Sequence, residues 1–525
     1  MQVNSNLKTT KDEPHDSHEK GSTSVRVLGV FILLVELGLL FAYGFAGFII
    51  NEVGSWGGNS AYTSGLIPIE WTFGGQGMFF YVSTMVFTVI AFGCLYASVS
   101  RSTLTGFFIS FFIVGYTTIF SPTLQKFWYN VFVDGFWNPG MNNSTDSGLI
   151  DYKHYFSTTQ ILISFYSMRI SLLNAISQLV VFYGLYQRLN AAQIFFFSTM
   201  YQICWTLNFH LNTYIADIQP DAGKRLMDDY SINQVFLFGS VFALVAGIFV
   251  KKPPREDLAM GKALPGRVVN NAQVNNNDVS LIVSVLGTFL LFITFMGITI
   301  CFPAKYGQRT RVIWAEGYMN IIFALCASVF TNMFISAITK NRLGLREIQF
   351  GMIGGAIMAG PIAGTLDNIG AFMAIGTFAG ILSAIYFAKI HPRVNAARVQ
   401  DTYGALYIAI VSFLGTFFIA PLVLIGMVKN NVNSNLLMNV KLTNADIAGW
   451  SLAYVGISLG IALLAGFSIG VFMMCMEKEV IREFDDENIF VPLPGLYDEE
   501  YTKSRVRVDE AYGHSASQLR PNNAI

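Results

Sequence analysis

Few side chains in this sequence offer acid–base chemistry within an apolar stretch. Two charges stand out, because Glu36 lies in the middle of FILLVELGLLFAYG and Arg169 lies in SMRISLLNAIS. A charge placed inside a bilayer is costly, so such residues usually have a defined role. Two interpretations stay open: Glu36 and Arg169 form a proton or ion relay, or they are a structural pair that ties helices together.

The histidines offer little to catalysis or metal binding. Of the six, His210 alone belongs to an apolar stretch, near the end of TLNFHLNT. There it would line a vestibule. Alternatively, its side chain is hydrogen-bonded within the protein or exposed to water and has no further role. No histidine pair fits within the apolar stretches, and the five cysteines lack metal-ligand spacing. We therefore predict no metal site, no cofactor and no disulfide framework.

Motifs of soluble enzymes are absent from the sequence. It contains no G-x-S-x-G, HExxH or Walker pattern, so we do not expect an enzyme. The stretch GMIGGAIMAGPIAG carries glycines at 351, 354, 355, 360 and 364, a spacing that lets membrane helices pack closely. The formal net charge is zero, which gives no sign of affinity for nucleic acid.

The elements that hold these residues are predicted to be membrane helices. The 525 residues are 53% hydrophobic and only 13% charged, whereas soluble domains carry about 25% charged residues. The apolar residues fall into blocks of about 18–25, the length that crosses a bilayer as a helix. Twelve blocks are countable, with approximate limits 26–50, 73–98, 103–122, 158–187, 191–215, 230–251, 279–302, 313–338, 347–366, 369–390, 403–428 and 448–475.

The arrangement of polar segments predicts the topology. Residues 1–24 form a polar tail, 25–475 a transmembrane domain and 476–525 a second tail, and an even number of helices puts both tails on one side. Lysine and arginine are more frequent in the loops on that side, which favours cytosolic termini in a plasma or organellar membrane. The sequence NNST carries overlapping glycosylation sequons at Asn142 and Asn143, in a loop predicted to lie outside. The tails are candidate docking sites for protein partners.

Several short sequence motifs, taken in order along the chain, resemble motifs of the ammonium transporter/Rh family. QDTYGALYIA resembles the start of the eleventh helix of Rh glycoproteins, where the family reads Gln-Asp-Thr-Cys-Gly. The resemblance runs in register over most of residues 26–497. The other words that carry it are LLVELGLLFAYG, SLLNAIS, PDAGKRLM, FGSVFAL, REIQFGMIGGAIMAG and EFDDENIFVPLPG.

This resemblance implies a fold and an activity. It implies an all-α membrane protein with two inverted repeats of five helices, assembled as a homotrimer or as a heterotrimer with a relative. It also implies a narrow apolar pore in each protomer for ammonia/ammonium or CO2. An apolar pore suits a neutral molecule, because an ion would lose its hydration there.

The sequence departs from the family at the pore. The resemblance places the two facing pore histidines of the family at Phe236 and at Ala409, which follows Asp401 by eight residues. A buried aspartate and an aromatic gate of the family fall at Ile176 and Ser177, and a second gate near Ile298. Asp221, in the PDAGKRLM turn, would cap the sixth helix or attract cations.

Three functions are compatible with these residues. The first is a family-type channel whose pore is impaired by the missing histidines. The second is a transport-inactive scaffold subunit of a membrane complex. The third is an unrelated twelve-helix secondary transporter that uses Glu36 and Arg169 as a coupling pair, provided that both side chains face a cavity.

Overall fold

A computed structural model places helices over most of the apolar sequence. It describes residues 30, 33–43, 47–49, 75–96, 103–135, 161–163, 165–185, 189, 191–218, 228, 231–250, 282–292, 310–340, 343–364, 366, 368–396, 401, 404–423 and 444–476. Several predictions lie outside the described residues: those on Asp221, Ile298, Asn142 and Asn143, and those on residues 1–24 and 477–525.

Twelve helical segments occupy the described residues. Four π turns adjoin these segments. One follows α3 (Asn130–Gly135), one precedes α6 (Asn233–Leu237), one leads from α10 into a short helical extension (Tyr386–Ile390) and one follows α11 (Leu414–Ile419). The segments are α1 Leu33–Tyr43, α2 Gly75–Tyr96, α3 Thr103–Tyr129, α4 Phe165–Leu185, α5 Ala191–Ile218, α6 Phe238–Phe249, α7 Ile282–Phe292, α8 Thr310–Lys340, α9 Leu345–Ala359, α10 Ile369–Ile385, α11 Ala405–Phe413 and α12 Asn444–Met476.

The helices have the length and surface expected in a bilayer. Six spans are long and apolar enough to cross one: Thr105–Phe132, Ser167–Leu185, Gly317–Thr339, Ile369–Val394, Ala405–Val423 and Ala448–Cys475. Large apolar side chains point outward, and Phe330 is 72% exposed and Leu464 71% exposed. Such a surface is stable against lipid rather than water. The predicted all-α, multi-pass membrane fold is confirmed.

Three helix boundaries differ from the prediction. Gly47–Ile49 (β1) and Ile161–Ile163 (β2), assigned above to apolar helix blocks, pair instead as a two-stranded parallel ladder. Their aromatic and β-branched residues suit a strand, and the pairing satisfies backbone groups beyond the ends of α1 and α4. The third apolar block is predicted to end at Pro122, but α3 continues through that proline to Tyr129. Membrane helices tolerate proline where neighbouring groups satisfy the freed carbonyl.

The packing of the helices repeats itself. In the first half, α3 packs against α4 and α5, and α4 packs against α6. In the second half, α8 packs against α9 and α10, and α9 packs against α11. Each repeat, α2–α6 and α7–α11, holds five helices, and an odd number of helices gives the two repeats opposite orientations in a membrane. The last helices of the two repeats, α6 and α11, pack against each other.

Glycines bring the helices of the second repeat into close contact. A methyl group added at Gly355 of α9 would lie 2.8 Å from the carbonyl oxygen of Ala324 on α8. One added at Gly380 of α10 would lie 2.5 Å from the carbonyl oxygen of Ser328, also on α8. The predicted packing role of the glycine-rich stretch is therefore confirmed for Gly355.

Candidate functional site

Two aspartates hold the starts of α6 and α11 in the same way. Asp228 accepts hydrogen bonds from the backbone N–H of Ile232 (2.6 Å) and of Asn233 (2.9 Å). Asp401 accepts them from the N–H of Ala405 (2.6 Å) and of Leu406 (3.1 Å). In both cases one carboxylate oxygen accepts from the N–H of the fourth residue after the aspartate, and the other oxygen accepts from the N–H of the fifth. The carboxylates satisfy N–H groups that have no partner within the helix.

The turns between each aspartate and its helix also match. The third residue after the aspartate has a left-handed backbone in both, with φ of 53° at Ser231 and 83° at Gly404. The carbonyl oxygen of this left-handed residue accepts from the N–H four residues later. The bond from Val235 to Ser231 is 2.9 Å long, and the bond from Ile408 to Gly404 is 3.1 Å long. The two repeats thus share one local structure, an aspartate followed by a left-handed residue and a helix.

These caps define two equivalent positions in the packed pair of helices. Phe236 lies eight residues after Asp228, and Ala409 lies eight residues after Asp401. Phe236 is 3% exposed and Ala409 is 7% exposed. Asp228 caps the start of α6, and the predicted cap at Asp221 lies outside the described residues. The equal spacing agrees with the placement of Phe236 and Ala409 that the family resemblance implies.

The π turn around Phe236 is fixed by side chains from two other helices. Ser177 of α4 donates its hydroxyl to the carbonyl oxygen of Val235 at 2.8 Å. Trp205 of α5 donates its indole N–H to the carbonyl oxygen of Gln234 at 2.9 Å. The hydroxyl of Tyr201 hydrogen-bonds to Ser177. Ser177 is predicted from the sequence as an altered pore position. In the structure its hydroxyl holds the backbone next to Phe236.

The remaining space in this region is filled by apolar groups. Ile176 is fully buried. The ring of Tyr201 packs against Phe238 and Phe242, with ring centroids 5.8 Å and 4.9 Å apart. A methyl group added at Gly239 would lie 2.8 Å from the carbonyl oxygen of Ser177, so α4 and α6 are in close contact. No imidazole takes part in this packing among the described residues.

The second cap has more partners than the first. Asp401 also accepts a hydrogen bond from the hydroxyl of Tyr386, and the charge of Arg346 acts on it. Burial raises the pKa of Asp401, while the bonds from Tyr386 and the two backbone N–H groups act in the opposite direction. The guanidinium of Arg346 lies over the ring of Phe387, 5.7 Å from its centroid. This cluster ties the start of α11 to α9 and α10.

The charges and the histidine singled out from the sequence lie on different helices. Glu36 is exposed on α1, whereas Arg169 is buried on α4. The relay or structural pair of these two residues stays a prediction. His210 lies on α5 with its ring edge-on to Phe209, 5.5 Å between centroids, and its Nε2 is buried. Its vestibule role stays a prediction.

Sequence reasoning missed a set of buried amides and hydroxyls. They recur at every third or fourth residue of α3 and α4, which places them on facing sides of the two helices. A search for charges and histidines passes over such residues, although their spacing is visible in the sequence. The members of this set on α3 and α4 are Thr117, Ser121, Gln125, Ser167, Ser171, Asn174 and Gln178.

The fold and the paired caps describe a multi-pass membrane protein built from two inverted repeats. The sequence profile of the Ammonium Transporter Family matches residues 71–488. The chain belongs to this family of membrane transporters and channels. The interpretation as an unrelated twelve-helix secondary transporter is therefore wrong.

Known relatives are similar but distant. Rhesus-like glycoprotein A of Dictyostelium discoideum is 24% identical over 277 residues, which cover 51% of this chain and 48% of that protein. Ammonium transporter Rh type C of Rattus norvegicus is 32% identical over 89 residues, 16% of this chain and 18% of that protein. The chain thus spans less than half the length of these curated relatives.

A solved structure shares the fold. The Rh50 protein of Nitrosomonas europaea, described with the mechanism of conduction by the Rhesus family of channels, superposes with a TM-score of 0.57. The identity is 16%, and the superposition covers 84% of this chain and 98% of that one. At this identity the likeness concerns the fold alone.

Exchanging the two left-handed residues tests whether the caps are equivalent. A left-handed backbone costs a residue with a Cβ about 1–2 kcal/mol. We expect Ser231→Gly to keep or raise the melting temperature of the purified protein, because the strain is relieved. Gly404→Ser should lower it, because the strain is added and the new Cβ would lie 2.6 Å from the ring of Phe350. Thermal unfolding followed by tryptophan fluorescence measures both.

A glycine without close neighbours provides the control. Gly456 lies on the exposed side of α12 with nothing within 4 Å of an added Cβ. Gly456→Ser should leave the melting temperature close to that of the parent. Equal effects of Gly404→Ser and Gly456→Ser would show that the turn at Gly404 is not under conformational restraint.

Proposed function

We propose that this chain is an Rh-type membrane channel protein whose route for ammonia through the α6–α11 contact is impaired. The observation that carries the proposal is the pair of equivalent positions, Phe236 and Ala409, eight residues after the two capping aspartates. The family resemblance expects facing histidines there. This chain has a large apolar ring at one position and a methyl group at the other.

The physical argument concerns the partners that ammonia has on entry. Ammonia leaves its hydrogen bonds in water behind, and a pore histidine would replace one of them. Leaving an amide-sized polar group unpaired costs about 1–3 kcal/mol, and a cost of 1.4 kcal/mol lowers occupancy by about tenfold. The buried ring of Phe236 also fills space, so both effects slow or close the route for ammonia. A nonpolar gas such as CO2 has no hydrogen bonds to lose.

Restoring the histidines tests this proposal. Stopped-flow uptake of ammonia into proteoliposomes should exceed uptake into empty liposomes only slightly for the parent chain, and the flux compared below is this excess. For Phe236→His combined with Ala409→His, we expect flux to rise by about tenfold or more, since 1.4 kcal/mol is a factor of ten. CO2 gradients should be measured separately on the same vesicles.

Two further variants make the outcome specific. Phe236→Ala enlarges the space without adding an imidazole, and Ala409→His adds one imidazole without removing the ring. Neither alone should reach the flux of the double variant, and gel filtration should show all variants folded. Ammonia flux in the parent equal to that of a histidine-bearing relative would refute the impaired route.

A second function follows from the same residues. If the parent passes neither ammonia nor CO2, the chain serves as a transport-inactive scaffold subunit that acts through its partners. The combined replacement at Ile176, Ser177, Phe236 and Ala409 favours this function. In this chain those positions contribute to core packing and backbone support.

The oligomer we propose is a trimer, of this chain alone or with a relative. The support is the family resemblance together with exposed apolar side chains on α8 and α10, including Phe330, Phe334 and Phe378. Native mass spectrometry from nanodiscs should give about three times the chain mass of 58.1 kDa. A particle with the mass of a single chain would contradict the proposal.

The orientation we propose has both termini in the cytosol and the loop after α3 outside, in a plasma or organellar membrane. Lysine and arginine in the loops and the sequons at Asn142 and Asn143 support it. Expressed in a eukaryotic cell, the chain should shift in mobility after glycosidase treatment. The shift should vanish in an Asn142→Gln and Asn143→Gln double variant. The topology would be refuted if the parent carries no glycan and protease added outside intact cells digests its tails.

A further inference from the structure

A layer of neutral polar side chains lies between α3, α4 and α5. The amide nitrogen of Gln125 donates to Ser121 at 3.1 Å and to Ser171 at 3.2 Å. The amide nitrogen of Asn174 lies 3.5 Å from the hydroxyl oxygen of the same Ser121. Two amides from neighbouring helices therefore meet at one hydroxyl group.

The third helix brings Gln202 to the same level. Gln178 of α4 hydrogen-bonds to Ser198 of α5, and α4 and α5 run in opposite directions. One turn back along α4 from Gln178 is Asn174, and one turn forward along α5 from Ser198 is Gln202. Asn174 and Gln202 are therefore at one height along the bundle.

A contact between α3 and α5 supports this placement. Tyr116 of α3 hydrogen-bonds to Thr199 of α5 at 2.9 Å. These two helices run in the same direction. Ser121 lies five residues further along α3 and Gln202 three residues further along α5, so the two differ in height by only about 3 Å. Ser121, Asn174 and Gln202 therefore lie within about one turn of each other in the bundle.

The converging groups have unused hydrogen-bonding capacity. Four atoms are buried and lack a partner among the described residues: Oε1 of Gln125, Oδ1 of Asn174, and both Oε1 and Nε2 of Gln202. The three residues are at most 1% exposed. A buried polar group without a partner is strongly unfavourable, and native proteins usually place a bound molecule there. The layer presents three acceptors and one amide donor.

The chemistry of the layer selects a neutral guest. All the side chains that form it are amides and hydroxyls, and a cation buried without an anionic partner would be costly. Ammonia carries three N–H donors and one lone pair, which matches three acceptor oxygens and one amide. Water carries two donors and two lone pairs and satisfies most of the same atoms.

We propose that Ser121, Gln125, Asn174 and Gln202 form a buried binding site for one small neutral hydrogen-bonding molecule, ammonia or water. The site lies between α3, α4 and α5 rather than between α6 and α11. It goes beyond the proposed function and does not depend on it, because neither Phe236 nor Ala409 takes part.

A high-resolution structure of the full chain in nanodiscs is the direct test. We expect a density peak about 3 Å from Oδ1 of Asn174 and from the amide of Gln202. A map that resolves these side chains and shows no peak between them overturns the proposal. The peak should be lost in Gln202→Leu and kept in Ser110→Ala, a variant that removes only a bond between Ser110 and Gly106 within α3.

Thermal unfolding then identifies the guest. Gln202→Leu should lower the melting temperature by about 1–3 °C, because the guest is lost and Asn174 keeps an unpaired oxygen. If Gln202→Leu is instead more stable than the parent, the layer is dry and the proposal is wrong. Ser110→Ala should change the melting temperature less.

The two guests respond differently to added ammonium. At alkaline pH, ammonium chloride should raise the melting temperature of the parent above that in sodium chloride if ammonia binds. Gln202→Leu should then show no such difference between the two salts. A density peak without any effect specific to ammonium assigns the site to water.

Discussion

The packed pair α6 and α11 depends on two carboxylates that satisfy backbone N–H groups at the starts of these helices. A helix that begins within apolar surroundings has no water for its first N–H groups, and each of them left unpaired is costly. Asp228 and Asp401 each accept two of these groups, with bonds between 2.6 and 3.1 Å. Each capping aspartate lies a fixed number of residues before its helix. The cap therefore also determines which residue lies at the contact between α6 and α11. The positions of Phe236 and Ala409 follow from this register.

Around that pair, both repeats combine close backbone contacts at glycines with hydrogen bonds between buried side chains. In the second repeat, glycines let α8, α9 and α10 approach until a single methyl group would collide with backbone. In the first repeat, amides and hydroxyls link α3 to α4, and further hydrogen bonds link both helices to α5. The shared architecture is thus carried by contacts between backbones and by caps, and the side chains between them are free to differ.

Much of the fold could be predicted from the sequence, because the apolar blocks are long and separated by polar loops. The Asp401–Ala409 relation was also accessible, since QDTYG keeps the aspartate and the glycine of the turn. Asp228 was missed for a physical reason: the left-handed residue after it is Ser231, and a serine does not signal such a turn. The sequence instead predicts Asp221 as the cap, because PDAGKRLM resembles a turn of the family. The amide layer was missed because neutral residues carry no charge to draw notice inside an apolar helix.

The hydrogen bonds that fix the π turn have a consequence for motion. Ser177 and Trp205 come from two different helices and bind two consecutive carbonyl groups, those of Val235 and Gln234. Rotating or sliding α6 alone would break both bonds in a region without water to replace them. Any rearrangement that opened this level of the bundle would have to carry α4, α5 and the start of α6 together as one rigid body. The backbone around Phe236 is therefore held by two neighbouring helices, and a hinge motion of α6 alone is not expected at this level.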